Sequence, residues 1–241
     1  MRERASRTRA RTRSGTPAAR PAVRRTSGRR RKPTREYAAE IYRRLVEAYP
    51  DPRTALHHRN PYELLVATML SAQCTDVRVN IVTPGFFARF PSPADLASAT
   101  VSEVEPLIDT VTFFHNKARH LVGMARARLA EHGGQVPRTM AELTALPGVG
   151  RKTANVVLGN AFDVNEGIVV DTHVARVSGR LGLTTATDPV KIERDLIPLF
   201  PVAQWTPLSH LFIEHGRRIC IARTPRCAAC VLSDICPSSR V

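Results

Sequence analysis

No run in this 241-residue sequence approaches the roughly 18 consecutive apolar residues that a membrane-spanning helix needs, so no membrane partner is expected. Aromatic residues are few, at 5%. No stretch alternates apolar and polar residues with the period of two that marks an amphipathic strand, which argues against a sheet-built fold. No internal repeat is present. The expected class is all-α, built from many short helices. With 43% apolar residues the chain can bury one sizeable core or two small ones.

The first 35 residues lack Leu, Ile and Phe altogether and hold one acid, Glu3, against fourteen Arg or Lys. Without an apolar stretch or an amphipathic face they fit neither an export signal nor a typical mitochondrial presequence. Residues 36–241 contain 22 bases and 20 acids, so nearly all of the +15 formal charge belongs to this tail. A disordered basic tail is expected over 1–35, adding sequence-independent affinity for nucleic acid that weakens as salt rises. An RNA-binding or nuclear-targeting role fits the same composition.

Lysine is scarce as well. Of 36 bases only Lys32, Lys117, Lys152 and Lys191 are lysine. A lysine retained in an arginine-dominated chain is informative, because its amine can lose a proton and act as a nucleophile, whereas a guanidinium does not.

Helix signals punctuate the rest. Glu36–Tyr49 reads as an amphipathic helix, and Pro61 opens a segment that is apolar almost all round, as expected for the centre of a core. Further helices are expected over Cys74–Phe90, after Ser92-Pro93, over Val101–Ile108, His115–Glu131 and Thr139–Ala145, after Asp171 and Asp188-Pro189, and from Ala203 to about Ile219. Between Thr139–Ala145 and the helix starting at Arg151 lies Leu146-Pro147-Gly148-Val149-Gly150, a helix-hairpin-helix turn. Gly148 and Gly150 are expected to supply positive φ, and the start of the second helix, with Arg151 and Lys152, suits a phosphate. On local sequence, Lys152 reads equally as a nucleophile or as a phosphate-binding lysine. Asp171 reads as an ordinary N-cap.

Five cysteines are present, four of them as Cys220-x6-Cys227-x2-Cys230-x5-Cys236. The odd total and the crowding argue against a disulfide framework. Zinc sites usually pair two C-x2-C knuckles across a spacer. One knuckle flanked by outer cysteines favours a [4Fe-4S] cluster, with zinc as the alternative. Arg217, Arg218, Arg223 and Arg226 give this loop a basic rim, read either as a phosphate-contacting surface or as solvated charge. Cys74 reads as a small core residue.

Taken in order, SAQCTD at Ser71–Asp76, LPGVGRKTANVV from Leu146, VDTH ending at His173 and the four-cysteine ending resemble the endonuclease III family of DNA glycosylases with AP-lyase activity, over roughly residues 36–237. The resemblance implies two helical domains, residues 54–165 and residues 36–53 with 166–241, and DNA bound across the cleft between them. It implies that Lys152 is the nucleophile and that Asp171 is the essential carboxylate. Gln73 would enter the space left by an extruded base, and Phe113 would be an apolar wedge beside it, although Gln73 also reads as a plain surface residue; His173, next to the carboxylate, reads equally as a contact to phosphate or sugar and as a satisfied structural histidine. The cofactor implied is a [4Fe-4S] cluster on Cys220, Cys227, Cys230 and Cys236. The partner implied is double-stranded DNA containing damaged bases or abasic sites. A monomer in the bacterial cytoplasm, associated with the nucleoid, is the expected setting. One departure stands out: where the family has glycine before the wedge this chain has Thr112, which does not readily take positive φ, so a differently shaped wedge loop is expected. A monofunctional mismatch glycosylase and a non-catalytic iron-sulfur DNA-binding protein are the alternative functions. Lys152 counts against the first, and its pairing with Asp171 against the second.

Overall fold

The computed structural model describes residues 32–241, which form one compact unit. The basic tail lies outside the described residues up to position 31. Its expected end at 35 needs correction, because Thr34 caps the first helix and Arg35 is that helix's first residue, donating from Nε to the Pro198 carbonyl at 3.0 Å. Among the described residues all regular structure is helical, as expected, and no helix is long and apolar enough to cross a membrane.

The chain order is α1 (Arg35–Ala48), α2 (Pro61–Ser71), α3 (Asp76–Arg89), α4 (Pro93–Ser98), α5 (Val101–Ile108), α6 (Phe114–His132), α7 (Met140–Ala145), α8 (Arg151–Phe162), α9 (Thr172–Arg180), α10 (Pro189–Leu196) and α11 (Trp205–Arg218). Side-chain oxygens of Asn60, Ser92, Thr139, Asp171 and Asp188 accept backbone N–H groups in the first turns of α2, α4, α7, α9 and α10. Each such cap satisfies a donor that the helix itself leaves unpaired. Most boundaries fall within a residue of expectation, and two helix starts differ by two residues. The helix expected from Cys74 starts at Asp76 behind a Thr75 cap. Helix α8 runs from Arg151 to Phe162 and is closed by a left-handed Asp163. A 3-10 turn, Val202–Gln204, precedes α11.

Buried apolar side chains gather into two cores. The first spans Leu56 to Leu158, with Tyr62–Leu70 of α2 buried throughout. The second joins Ala38, Ile41 and Leu45, the inner face of α1, to residues between Ile168 and Leu232. The chain crosses between the cores twice, between Tyr49 and Leu56 and again between Val164 and Ile168. Helices α8 and α11 meet where the cores adjoin. There Gly159 passes so close to Thr206 that an added Cβ would lie 2.1 Å from its Oγ1. Thr206 in turn donates to Asn165 Oδ1 at 2.6 Å, and His210 Nε2 lies 2.8 Å from Asn160 Oδ1.

Candidate active site

A cavity of about 850 Å³ lies against both cores. Lys152 and Asn160 from α8, Asp171 and His173 from the start of α9, the Ser71–Asp76 turn, and His210 and Arg217 from α11 all face it.

The hairpin is built by packing as much as by glycine. Leu146 and Val149 are buried, and Gly148 takes φ +75° with a virtual Cβ only 2.6 Å from His120 Cβ, so no other residue fits there unchanged. The expectation for Gly150 needs correction. Its φ is −92°, an ordinary extended value, and an added Cβ would meet nothing within 4 Å. Gly150 instead leaves open space at the N-terminus of α8, which has no side-chain cap, so its first backbone N–H groups and its positive dipole end stand free for an anion. Lys152 is exposed, and among the described residues no carboxylate pairs with its ammonium. Arg151 behaves differently: its Nη2 lies 3.2 Å from Glu193 Oε1, a buried carboxylate on α10, which ties the start of α8 to the second core.

Asp171 is the N-cap of α9. Its Oδ1 accepts the N–H groups of His173 and Val174, both at 2.8 Å, leaving Oδ2 without a hydrogen bond among the described residues. A cap of this kind contributes about 1 kcal/mol and fixes where the carboxylate stands. Val169 and Val170, both buried, bring the chain to it, and the Val169 N–H donates to Ser209 Oγ at 3.1 Å. At His173, Nδ1 is 3.0 Å from Arg176 Nη2. An accepting Nδ1 puts the imidazole proton of the neutral ring on Nε2. Burial holds the His173 pKa below the ordinary value, with Asp171 pulling the other way.

Gln73 is exposed and borders the cavity; Phe113 is 59% exposed and does not. Both occupy the left-handed region, at φ 54° and 58°. That costs a non-glycine residue about 1–2 kcal/mol, and such strain concentrates where function fixes a side chain. Positive φ at the wedge turn thus falls on Phe113 itself rather than on Thr112. Cys74 is half-buried, packed on the first core beside the cavity.

Two contacts here escaped the sequence. Arg217 Nη2 meets Asp76 Oδ2 at 2.6 Å across 141 residues, so one arginine of the expected basic rim joins α11 to the SAQCTD turn. Arg218 pairs with Glu214, and Arg223 and Arg226 are exposed. The other contact is Lys117, whose Nζ reaches the end of α2.

The four clustered cysteines line one small cavity beside α9 and α11. No group of three or more His, Cys, Asp or Glu among the described residues is gathered tightly enough for a single metal ion; the thiols stand around a space instead. Donors already point at sulfur. Arg180 Nη1 is 3.3 Å from Cys220 Sγ, and the Leu232 N–H is 3.4 Å from Cys230 Sγ. His215 Nε2 lies 3.5 Å from the same sulfur, while its Nδ1 faces the Tyr49 hydroxyl at 3.2 Å. Four soft ligands around a cavity, with N–H groups to offset thiolate charge, fit an iron-sulfur cluster.

All-helical cores, a hairpin whose second helix opens with a free lysine, and a cysteine-walled cavity together define a helix-hairpin-helix protein of DNA. Residues 66–201 match the HhH-GPD superfamily of base excision DNA repair proteins, and residues 220–236 match the iron-sulfur binding domain of endonuclease III. The chain is 50% identical to endonuclease III of Synechocystis sp. over 206 residues, covering 86% of this chain and 94% of that protein. It is 42% identical to endonuclease III of Escherichia coli K12 over 197 residues, covering 82% and 93%. A solved structure of a trapped endonuclease III-DNA covalent intermediate superposes with a TM-score of 0.80 at 40% identity, covering 86% of this chain and 97% of that one. The fold alone is shared with a thermostable thymine-DNA glycosylase, at 23% identity and a TM-score of 0.75. The chain belongs to the endonuclease III family of the HhH-GPD superfamily. It is a DNA glycosylase of base excision repair with a [4Fe-4S] cluster as its cofactor.

Proposed function

We propose that this protein removes oxidised pyrimidines from duplex DNA and cleaves the strand at the resulting abasic site through Lys152. One observation carries the reading: an exposed, partnerless lysine and a capped carboxylate border a single cavity against both cores. The solved relative trapped as a covalent DNA intermediate supports the same chemistry.

In the proposed sequence the neutral Lys152 amine attacks C1′ of the damaged nucleotide, and the base leaves with the bonding pair and takes up a proton. The sugar ring opens to an imine on Nζ. That imine acidifies the C2′ proton, whose removal expels the 3′ phosphate by β-elimination. Water then releases an unsaturated aldehyde end and the free lysine. Asp171, with Oδ2 free, stabilises positive charge developing on the sugar or takes a proton from the amine. The start of α8 and His173 Nε2–H hold flanking phosphates. Gln73 and Phe113 fill the place of the extruded nucleotide. We assign the cluster ligands to Cys220, Cys227, Cys230 and Cys236; when bound, the cluster supplies Fe–thiolate bonds that close the C-terminal loop. The two cores serve as the two domains, 54–165 and 36–53 with 166–241.

The test is borohydride trapping on duplexes carrying thymine glycol, uracil, an abasic site or an adenine mismatch. The wild type gives a covalent adduct on thymine glycol and abasic duplexes, and Lys152→Ala gives none. An adduct at wild-type yield from Lys152→Ala removes Lys152 from the mechanism. Base loss without strand cleavage on the mismatch favours the monofunctional reading.

A further inference from the structure

Lys117 is buried at 7% exposure, in a chain where nearly every other base is an arginine. Its Nζ donates to the carbonyls of Leu70 and Ala72, at 2.7 and 2.6 Å. These carbonyls end α2, where no later turn of helix satisfies them and the helix dipole is negative. The residue after Ala72 is Gln73, held in the left-handed conformation. Lys117 belongs to the first turn of α6, and its backbone N–H donates to the carbonyl of Phe113 at 3.1 Å. Phe113 is, like Gln73, a left-handed non-glycine residue exposed to solvent. One residue therefore grips both turns, by its peptide on one side and its ammonium on the other.

We propose that Lys117 is a positioning residue that locks the Gln73 turn to the Phe113 turn, so that the two side chains enter DNA as one rigid unit when a base is extruded. A compact ammonium suits the place, since its donors diverge toward two carbonyls at a helix end, whereas the planar guanidinium fork would need more room. Burial lowers the Lys117 pKa, the nearby Cys74 opposing this, and two carbonyl acceptors favour its charged form. The inference rests on the reading of Gln73 and Phe113 as gap-filling residues, and the experiment separates the two.

Single-turnover base removal is measured on a thymine glycol duplex with adenine opposite the lesion, and on one with a baseless tetrahydrofuran residue opposite, where no partner base is left unpaired. Lys117→Met is compared with wild type alone and in a Gln73→Ala/Phe113→Ala background, with circular dichroism and unfolding midpoints checking the fold. Lys117→Met is expected to slow the adenine duplex at least tenfold, to change the tetrahydrofuran duplex less than threefold, and to add nothing in the double-alanine background. Lys117→Gln, which keeps an amide NH2 as donor, should fall between. Equal slowing on both duplexes, or an effect that multiplies with the double alanine, overturns the positioning role. A double-alanine protein as fast as wild type on the adenine duplex overturns instead the gap-filling reading. If Lys117→Met does not fold, Lys117→Gln is read by the same two criteria.

Discussion

At the scale of single residues, Asp171 carries two roles that one substitution confuses and two can separate. Its Oδ1 caps α9 by accepting the N–H groups of His173 and Val174. Asparagine caps a helix about as well as aspartate, whereas alanine forfeits about 1 kcal/mol. Asp171→Asn should therefore unfold in urea within about 0.5 kcal/mol of wild type yet lose base removal by about a hundredfold or more, because it lacks the charge proposed to act at the sugar. Asp171→Ala should lose both. If Asp171→Asn retains wild-type single-turnover rates, the carboxylate is only a cap. Lysine scarcity was a useful signal at this scale, for it singled out Lys152 and also Lys117. The sequence could not say that these two differ in kind. One is exposed at the cavity and the other buried on the carbonyls of a helix 45 residues earlier.

At the scale of elements, α8 is the piece on which the rest depends, since it carries Lys152 at one end and meets the second core at the other. Its approach to α11 needs Gly159. A Cβ there would strike Thr206 Oγ1, and Thr206 is not free to turn because it donates to Asn165 in the connection between α8 and α9. Gly159→Ala should cost about 1–3 kcal/mol in urea unfolding, the usual cost of overpacking, even though alanine is the better helix former. Thr206→Ala in the same chain should recover part of that loss. A Gly159→Ala protein as stable as wild type would mean that α8 and α11 are not in close contact in solution. Much of this level was legible in advance. Pro61, Ser92-Pro93 and Asp188-Pro189 each mark a helix start to within a residue, because caps and N1 prolines are local chemistry. The end of α8 is not legible in this way, since Gly159 and Asn160 are weak helix formers carried by packing. The left-handed Gln73 and Phe113 were missed for the same reason, as their strain is maintained by partners distant in sequence.

At the scale of the whole molecule, stability and pH are linked through a half-buried histidine where the cores adjoin. His210 sits on α11 with Nε2 against Asn160 Oδ1 of α8, and burial, reinforced by the Arg217 guanidinium, holds its pKa down to about 4. An unfolded histidine titrates near 6.5, so the unfolded chain takes up this proton first as pH falls. The contribution of the neutral ring is thus complete above about pH 6.5 and is lost progressively between there and about pH 4. A shift of this size corresponds to a loss on the order of 2 kcal/mol between about pH 7.5 and 4.5. Burial holds His215 down to about 4 as well, but it lies against Cys230, so its share is bound up with the cluster loop. His210→Gln keeps a donor for Asn160 and cannot titrate. Urea unfolding of the cluster-loaded protein across this range should show the wild type losing on the order of 2 kcal/mol more than His210→Gln. Parallel pH profiles for the two proteins would mean that His210 is hydrated in solution, and that the cores do not close over it as tightly as the 2.8 Å contact with Asn160 requires.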